Sequence, residues 1–549
     1  MTDDPKRGHE DWWRRAVVYQ VYPRSFLDSN GDGVGDLPGV TRRLDHLADL
    51  GVDAIWLSPF YPSPMNDFGY DVTDYTGVDP IFGTLDDFDA LVERARERGI
   101  RVIVDFVLNH TSERHPWFAE ARSSREAARR DWYVWAEGRD GGPPNNWQSV
   151  TGGPAWTRDE ASGQFYLHSF LPCQPDLNWR NGAVREAMHA AARFWLERGV
   201  AGLRLDMLEF VVKDEHLRDE VPDPSYAFDP SKPWRSSWYA VRHEFSSNRP
   251  EAREVARGLR VLADTYGAVL IGELDFEVPL DDRFGFHGTA VAPALHTPFN
   301  FDLIAGDWSA EAIARAIRTS LERTPPWGTP NWVLGNHDVP RIATRLGPNA
   351  ARTAVMLQMV LPGMAFVYQG EELGLPDAAI SPASVRDPWG LRHPGSGRDP
   401  ERAPLPWDDG PNRGFAPAGA EPWLPTYPRD VPSHEGQTAD PASTLALYRR
   451  LAALRRSHPV LRDGTVETVE ADGPLLRIRR RLGDTVVELR LNTSDRPLAL
   501  HERDVPSGAV GDVLIGSLGD RDRRADSALA PHEAILVQTV LVQAAGPRA

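Results

Sequence analysis

Short apolar runs rich in Val, Ile, Phe and Tyr alternate along the chain with longer stretches of helical period. That rhythm predicts βαβ units and a parallel sheet. The predicted strands are Ala16–Tyr22, Ala54–Leu57, Arg101–Asp105, Gly202–Asp206, Leu270–Glu273, Trp332–Asn336 and Met364–Tyr368, with a weaker eighth signal near Pro298–Phe301. Between them, helical patterns run over Leu37–Leu50, Leu85–Arg98, Ala183–Arg198, Glu251–Tyr266 and Ala310–Arg323. The first four run into Gly51, Gly99, Gly199 and Gly267, the residue type a left-handed helix end requires. Eight such units predict a closed (β/α)8 TIM barrel, an α/β fold, formed by residues 1–108 and 176–457.

Two connections are too long for simple loops. Residues 109–175, between the third strand and its helix, are rich in Trp, Tyr, Gly and Pro and predict a small inserted domain. Residues 370–440 are Pro-, Gly- and Asp-rich and predict an irregular wall over the active face. After a predicted helix at Ser443–Ser457 the period changes to alternation, as in Leu475–Arg480, Val486–Leu491 and Ala534–Val540. Residues 458–549 therefore predict an all-β C-terminal sandwich.

Charge narrows the function. Against 61 Lys and Arg stand 79 Asp and Glu, a formal −18 over 549 residues. Such a surface repels phosphate backbones and anionic head groups, which excludes nucleic acid and membrane partners and favours a neutral or cationic small substrate. Sugars fit. One cysteine, Cys173, excludes an intrachain disulfide. Met1–Glu10 is polar, without the apolar run of a signal peptide. No apolar stretch approaches the ~20 residues that cross a bilayer. The expectation is a cytoplasmic monomer or homodimer.

The chemistry gathers where the strands end, since in such a barrel the C-terminal strand ends face the active site. The third strand leads to Asn109-His110, the fourth carries Arg204 and Asp206, the fifth ends at Glu273, and the seventh runs into Asn336-His337-Asp338. Taken singly, each could be a buried ion pair or a capped loop. Four strand ends in register point to a site.

These segments carry a family resemblance. Val18-Tyr19-Gln20-Val21-Tyr22-Pro23-Arg24-Ser25-Phe26, Ile55-Trp56-Leu57-Ser58-Pro59-Phe60, Asp67-Phe68-Gly69-Tyr70-Asp71-Val72 and Gln174-Pro175-Asp176-Leu177-Asn178-Trp179 complete the pattern. The chain resembles the α-amylase family of glycoside hydrolases, most nearly its α-glucosidase and oligo-1,6-glucosidase branch. The resemblance covers nearly everything up to Ser457. It implies Asp206 as nucleophile, Glu273 as general acid and then base, and Asp338 as a third carboxylate gripping ring hydroxyls. Retention of configuration needs this carboxylate pair on opposite sides of the anomeric carbon. The resemblance further implies that His110 and His337 donate to hydroxyls and that Tyr70 lies under the sugar ring, where a plain core tyrosine is the alternative. Arg204, two residues before Asp206 on the same strand face, should hold the nucleophile ionised.

In the glucosidase branch an Asp before the Gly-Tyr-Asp motif and a later Arg close the pocket behind the terminal sugar. By match these are Asp67 and Arg398, and the resemblance then implies exo action; a surface ion pair is the alternative. The run Asp28-Ser29-Asn30-Gly31-Asp32-Gly33-Val34-Gly35-Asp36 offers the alternating oxygens a hard cation wants. It predicts a structural Ca²⁺ on Asp28, Asn30, Asp32, Asp36 and the Val34 carbonyl, against an ion-free Asx turn; no organic cofactor is expected. Met207 follows the nucleophile where relatives commonly carry Val, Ala or Thr, so linkage preference stays open. The expected function is an exo-acting retaining α-glucosidase cleaving short α-glucosides. The alternatives are a transglucosylase or isomerase of the same fold, such as a trehalose synthase, and, remotely, a non-enzymatic family member.

Overall fold

A computed structural model describes residues 11–226, 236–500, 512–519 and 528–540 of the protein. Met1–Glu10, expected to carry no signal peptide, lies outside the described residues. Eight strands form one sheet: β1 (Val17–Val21), β2 (Ala54–Leu57), β3 (Arg101–Val107), β4 (Gly202–Asp206), β5 (Val269–Gly272), β6 (Thr297–Pro298), β7 (Asn331–Val333) and β8 (Met364–Tyr368). Their order is β6-β5-β4-β3-β2-β1-β8-β7 and every pairing is parallel. This is the expected barrel, and it closes through one main-chain bond, Thr329 N to the His296 carbonyl at 3.1 Å, and through side chains. β6 is two residues long because Pro298 has no N–H to extend the ladder. Across the remaining seam Asn331 Nδ2 donates to Thr297 Oγ1 and to the Pro298 carbonyl, both at 2.6 Å. Asn331 Oδ1 accepts from Asn300 N at 2.9 Å, and Thr297 Oγ1 donates to the Thr329 carbonyl at 2.8 Å.

Alternation within the strands decides what fills the barrel. Val18, Ala54, Ile103, Val269, Ile271, Val333, Met364 and Phe366 form an interior cluster floored by Trp13. Val17, Tyr19, Val21, Ile55, Val102 and Val104 point the other way, into the layer under the helices. In register, Ile103 lies beside Gly202 and Asp105 beside Arg204. A Cβ on Gly202 would sit 2.5 Å from Val269 Cγ1, so only glycine lets the apolar layer pack directly beneath Arg204.

The outer helices include α1 (Leu37–Arg42), α2 (Leu44–Leu50), α3 (Leu85–Glu97), α4 (Gly182–Glu197), α5 (Ala252–Thr265), α6 (Ala310–Arg323), α7 (Pro348–Val360) and α8 (Thr444–Ser457). The single helix expected over Leu37–Leu50 is two, broken at Arg43 (φ −107°, ψ 12°), whose guanidinium lies over Trp407. α7 has no sequence period because it is buried nearly all round, and periodicity needs a polar face. Gly51, Gly99, Gly199 and Gly267 all have positive φ, as the helix ends required.

Between β3 and α4 lie the helix Pro116–Ser123 and a three-stranded antiparallel sheet of Trp135–Ala136, Trp156–Arg158 and Phe165–Leu167. Residues 370–440 carry only short helical turns and no strand. The C-terminal sheet runs β9 (Thr465–Asp472), β10 (Leu475–Leu482), β11 (Thr485–Asn492), β12 (Asp512–Gly516) and β13 (Ala534–Val540), ordered β9-β10-β11-β13-β12. Buried Arg480 anchors it, donating to the carbonyls of Val360, Leu461 and Gly464. Among the described residues no helix is long and apolar enough to cross a membrane.

Replacing Asn331 by the similarly sized Leu is expected to lower the thermal unfolding midpoint. Each buried partner left unsatisfied costs about 1–3 kcal/mol. An unchanged midpoint would contradict the seam described here.

Candidate active site

Three inward-facing carboxylates meet on one guanidinium. Arg204, 1% exposed, donates from Nη1 to Asp105 Oδ1 and Asp206 Oδ1, both at 2.7 Å, and from Nη2 to Glu273 Oε2. Asp206 is the last residue of β4, and Glu273, next to it in register, follows β5. The ring of Trp56 lies 5.0 Å from the guanidinium, and its Nε1 donates to Asp105 Oδ2. Burial pushes the carboxyl groups of Asp206, Asp105 and Glu273 above their usual range. Arg204 opposes this, and for Glu273 the neighbouring charges of Asp338 and Asp105 push further up. One cation among three carboxylates leaves the set holding a proton more tightly than free carboxyl groups do.

Asp338 sits in a different field. Burial alone would raise it, but His337, Arg398, Arg402 and Arg204 together pull it well below the carboxylate range. Arg398 Nη1 and Arg402 Nη2 reach Asp338 Oδ1 at 3.0 and 2.6 Å. Arg398 Nη2 also meets Asp67 Oδ1 and Asp387 Oδ1, each at 2.8 Å. The pairing expected of Asp67 and Arg398 is therefore present, embedded in a network of four carboxylate–arginine contacts.

His337 is fully buried. Its Nδ1 faces Gln20 Nε2 at 2.8 Å, and its Nε2 faces the Tyr70 hydroxyl at 2.7 Å and Asp338 Oδ2 at 3.2 Å. His110 Nε2 lies 3.1 Å from the Tyr70 carbonyl and from Gln174 Nε2. Burial depresses both rings, His110 to about 4 and His337 to about 3, so they are neutral near pH 7. Tyr70 stacks parallel on His337 and donates to Asp105 Oδ2 at 3.1 Å.

These groups open on a cavity of about 300 Å³, at the small end for a small-molecule site. Asp67, Tyr70, His110, Asp206, Glu273, Asp338 and Arg398 form its polar wall. Val150, Phe170, Met207, Phe276, Phe301 and Trp389 also line the cavity, Phe170 against His110 and Trp389 under Arg398. Phe276 is 39% exposed and packs against Phe301 at 4.9 Å, an aromatic lip at the mouth. Met207 turns sharply, with φ 38° and ψ 53°, a left-handed conformation unusual for its type. His337 and Arg204 are placed behind this wall and brace it. Such an arrangement sets two proton-retaining carboxyl groups side by side at a pocket that also holds the Arg398 ion pairs.

Several contributors escaped the sequence reading. Asp105 enters the sequence pattern only as a strand end, though an acid inside an otherwise apolar strand, in register with Arg204, is a signal. Arg402 and Asp387 lie in the irregular segment, where no period marks them. Gln174, which also donates to Asp67 Oδ2 at 3.1 Å, belonged to a matched motif without an assigned task.

In the loop 28–36 the buried Asp28 carboxylate accepts from the N–H groups of Asn30, Gly31 and Gly33. Asp36, also buried, accepts from Ser29 N and Oγ and caps α1 through Gly39 N. Asn30 and Asp32 lie at the more exposed end, each bonded within the loop. Among the described residues neither Asp28 nor Asp36 has an ion-pair partner, and burial raises Asp36 with Asp28 adding to the rise. Two buried carboxylates repelling one another suit a cation in donor chemistry. Among the described residues, however, no three His, Cys, Asp or Glu side chains are drawn around one point.

Comparison with known proteins adds ancestry to geometry. The family profile described as "Alpha amylase, catalytic domain" matches residues 20–464. A probable alpha-glucosidase of Rhizobium meliloti (strain 1021) is 45% identical over 504 residues, covering 88% of this chain and 90% of that protein. An oligo-1,6-glucosidase of Parageobacillus thermoglucosidasius is 35% identical over 526 residues, covering 88% and 91%. The crystal structure of an alpha-glucosyl transfer enzyme, XgtA, is 40% identical with a TM-score of 0.87, covering 96% of this chain and 99% of that one. The chain belongs to the α-amylase family of glycoside hydrolases and is a glycosidase.

Proposed function

We propose that the protein is an exo-acting, retaining α-glucosidase that removes single glucose units from the non-reducing ends of short α-glucosides. The observation that carries this reading is the Asp67–Arg398–Asp387 contact closing a small cavity whose inner wall bears Asp206 and Glu273. In this mechanism an Asp206 oxygen attacks the anomeric carbon while Glu273 passes its proton to the glycosidic oxygen, and the aglycone leaves. Glu273, now a carboxylate, takes a proton from water as that water attacks the same carbon and frees Asp206. Asp338, Asp67, His110 and Arg398 hold the sugar hydroxyls. Arg204 favours the ionised form of Asp206 against its burial and fixes it in place, and Met207, Phe276 and Phe301 receive the leaving group. A transglucosylase uses the same residues, and similarity to an alpha-glucosyl transfer enzyme supports keeping that reading second. Chromatography of products from maltose separates them: glucose for hydrolysis, longer or rearranged sugars for transfer. A cytoplasmic setting belongs to the proposal, supported by the single cysteine, Cys173.

We also propose a structural Ca²⁺ held by Asp28, Asn30, Asp32, Asp36 and the Val34 carbonyl. A bound cation would relieve the repulsion between the two buried carboxylates. Excess chelator is then expected to lower the thermal midpoint and added Ca²⁺ to restore it, whereas a midpoint indifferent to both would remove the site.

Asp206→Ala and Glu273→Gln are each expected to abolish turnover without unfolding the protein. Retention of more than about a tenth of kcat, a loss below ~1.4 kcal/mol in barrier, would overturn the assignment. Arg398→Ala should cost on the order of 1.5–3 kcal/mol per lost charged hydrogen bond, mostly in kcat/KM and alike for every α-glucoside. Early maltotriose from an end-blocked maltooligosaccharide would show an open cleft and defeat the exo reading.

The pH profile offers a further check. Its alkaline limb reports loss of the Glu273 proton, which the Asp105 charge helps to retain. Asp105→Asn removes that charge at constant size, so the limb should move to lower pH. A limb that stayed or moved higher would contradict the assignment.

A further inference from the structure

Beyond Asp206 and Glu273 the barrel ladder stops, yet the two side chains must keep one separation while a proton and a covalent bond change hands. Two hydrogen bonds continue the connection past the strand ends. Leu208 N donates to the Glu273 carbonyl at 3.0 Å, and Asp275 N donates to Glu209 Oε1 at 2.7 Å. Glu209 lies three residues after Asp206 in the short turn Leu208–Phe210, and Asp275 two residues after Glu273. Glu209 is 1% exposed, and its own carbonyl accepts from Asn248 N at 2.8 Å, so both its main chain and its side chain are held. The turn begins at Met207 in its left-handed conformation, a state that persists only when the surroundings over-determine it.

We infer that Glu209 is a positioning residue: its carboxyl oxygen ties the turn after the acid to the turn after the nucleophile and so sets where Glu273 stands relative to Asp206. This rests on the retaining reading above. The group is not needed for charge. Burial pushes its carboxyl group well above the usual range, and Oε2 has no hydrogen-bond partner among the described residues. The accepting oxygen is what the tie requires, and a neutral amide supplies the same oxygen. Glu209 touches no reacting atom. Its loss lets the turn bearing Glu273 drift, which weakens protonation of the leaving group more than attack by Asp206.

The test compares kcat/KM for p-nitrophenyl and p-methoxyphenyl α-glucosides, the first leaving readily unprotonated and the second depending on the acid. Glu209→Leu, which keeps volume and removes the acceptor, should lose on the order of 10²-fold on the methoxyphenyl glucoside and about tenfold or less on the nitrophenyl one. Glu209→Gln, which keeps an acceptor oxygen, should stay within about threefold of wild type on both. An equal loss of Glu209→Leu on both substrates, or a Gln variant as impaired as Leu, would overturn the proposal. Should Glu209→Leu not fold, Glu209→Asp, one methylene short of the Asp275 N–H, carries the same comparison against Gln. Wild type inactive on both glucosides would bring down the glucosidase reading itself, whereas a uniform loss with an active wild type brings down only the role of Glu209.

Discussion

A guanidinium sealed inside a barrel between Asp105, Asp206 and Glu273 is the interaction on which the rest of the site depends. Removing so many charges from water is costly unless each finds a partner with good geometry, and a partner lost leaves a buried charge behind. The fold answers with three neighbours. Gly202 admits the apolar layer under Arg204, Trp56 covers its face, and Tyr70 takes the second oxygen of Asp105. Because one cation is shared by three acids, a proton stays in the cluster. An acid that gives a proton and a carboxylate that attacks can then stand side by side.

A second arginine centre mirrors the first from outside the barrel. Arg398 and Arg402 come from the irregular segment after β8 and converge on Asp338, with Asp67 and Asp387 completing the contacts. Here two arginines converge on one carboxylate, and Asp338 is held ionised rather than protonated. In the proposed mechanism the barrel supplies the groups that exchange a proton, and the loops supply the groups that grip. Phe276, Phe301 and Met207 add apolar surface to the lining of the same cavity.

The barrel was legible because its strands are apolar on both faces while most of its helices are not, which gives two distinct periods. The elements that escaped lack that contrast. α7 is buried nearly all round, and β6 is cut short by Pro298 and completed by the Asn331 side chain. At the site, Asp206, Glu273, Asp338, Asp67 and Arg398 were legible as motif members at strand ends or in matched loops. Arg402 and Asp387 were not, since their partners lie 64 residues away for Arg402 and 11 for Asp387 along an aperiodic chain. Asp105 could have been found by asking what pairs with Arg204 in the next strand. Glu209 could not, because a turn residue hydrogen-bonded to a neighbouring turn leaves no trace in periodicity.

The account's central claim is that Asp206, held by Arg204, forms the bond to the sugar. The most direct measurement is peptide mass spectrometry of the wild-type protein after reaction with a fluorinated glucosyl fluoride that slows release of the sugar from the enzyme. The account expects one glucosyl adduct, on the peptide carrying Asp206 and on that side chain. An adduct on Asp105, Glu273 or Asp338, or turnover of the reagent with inversion and no adduct, would contradict it.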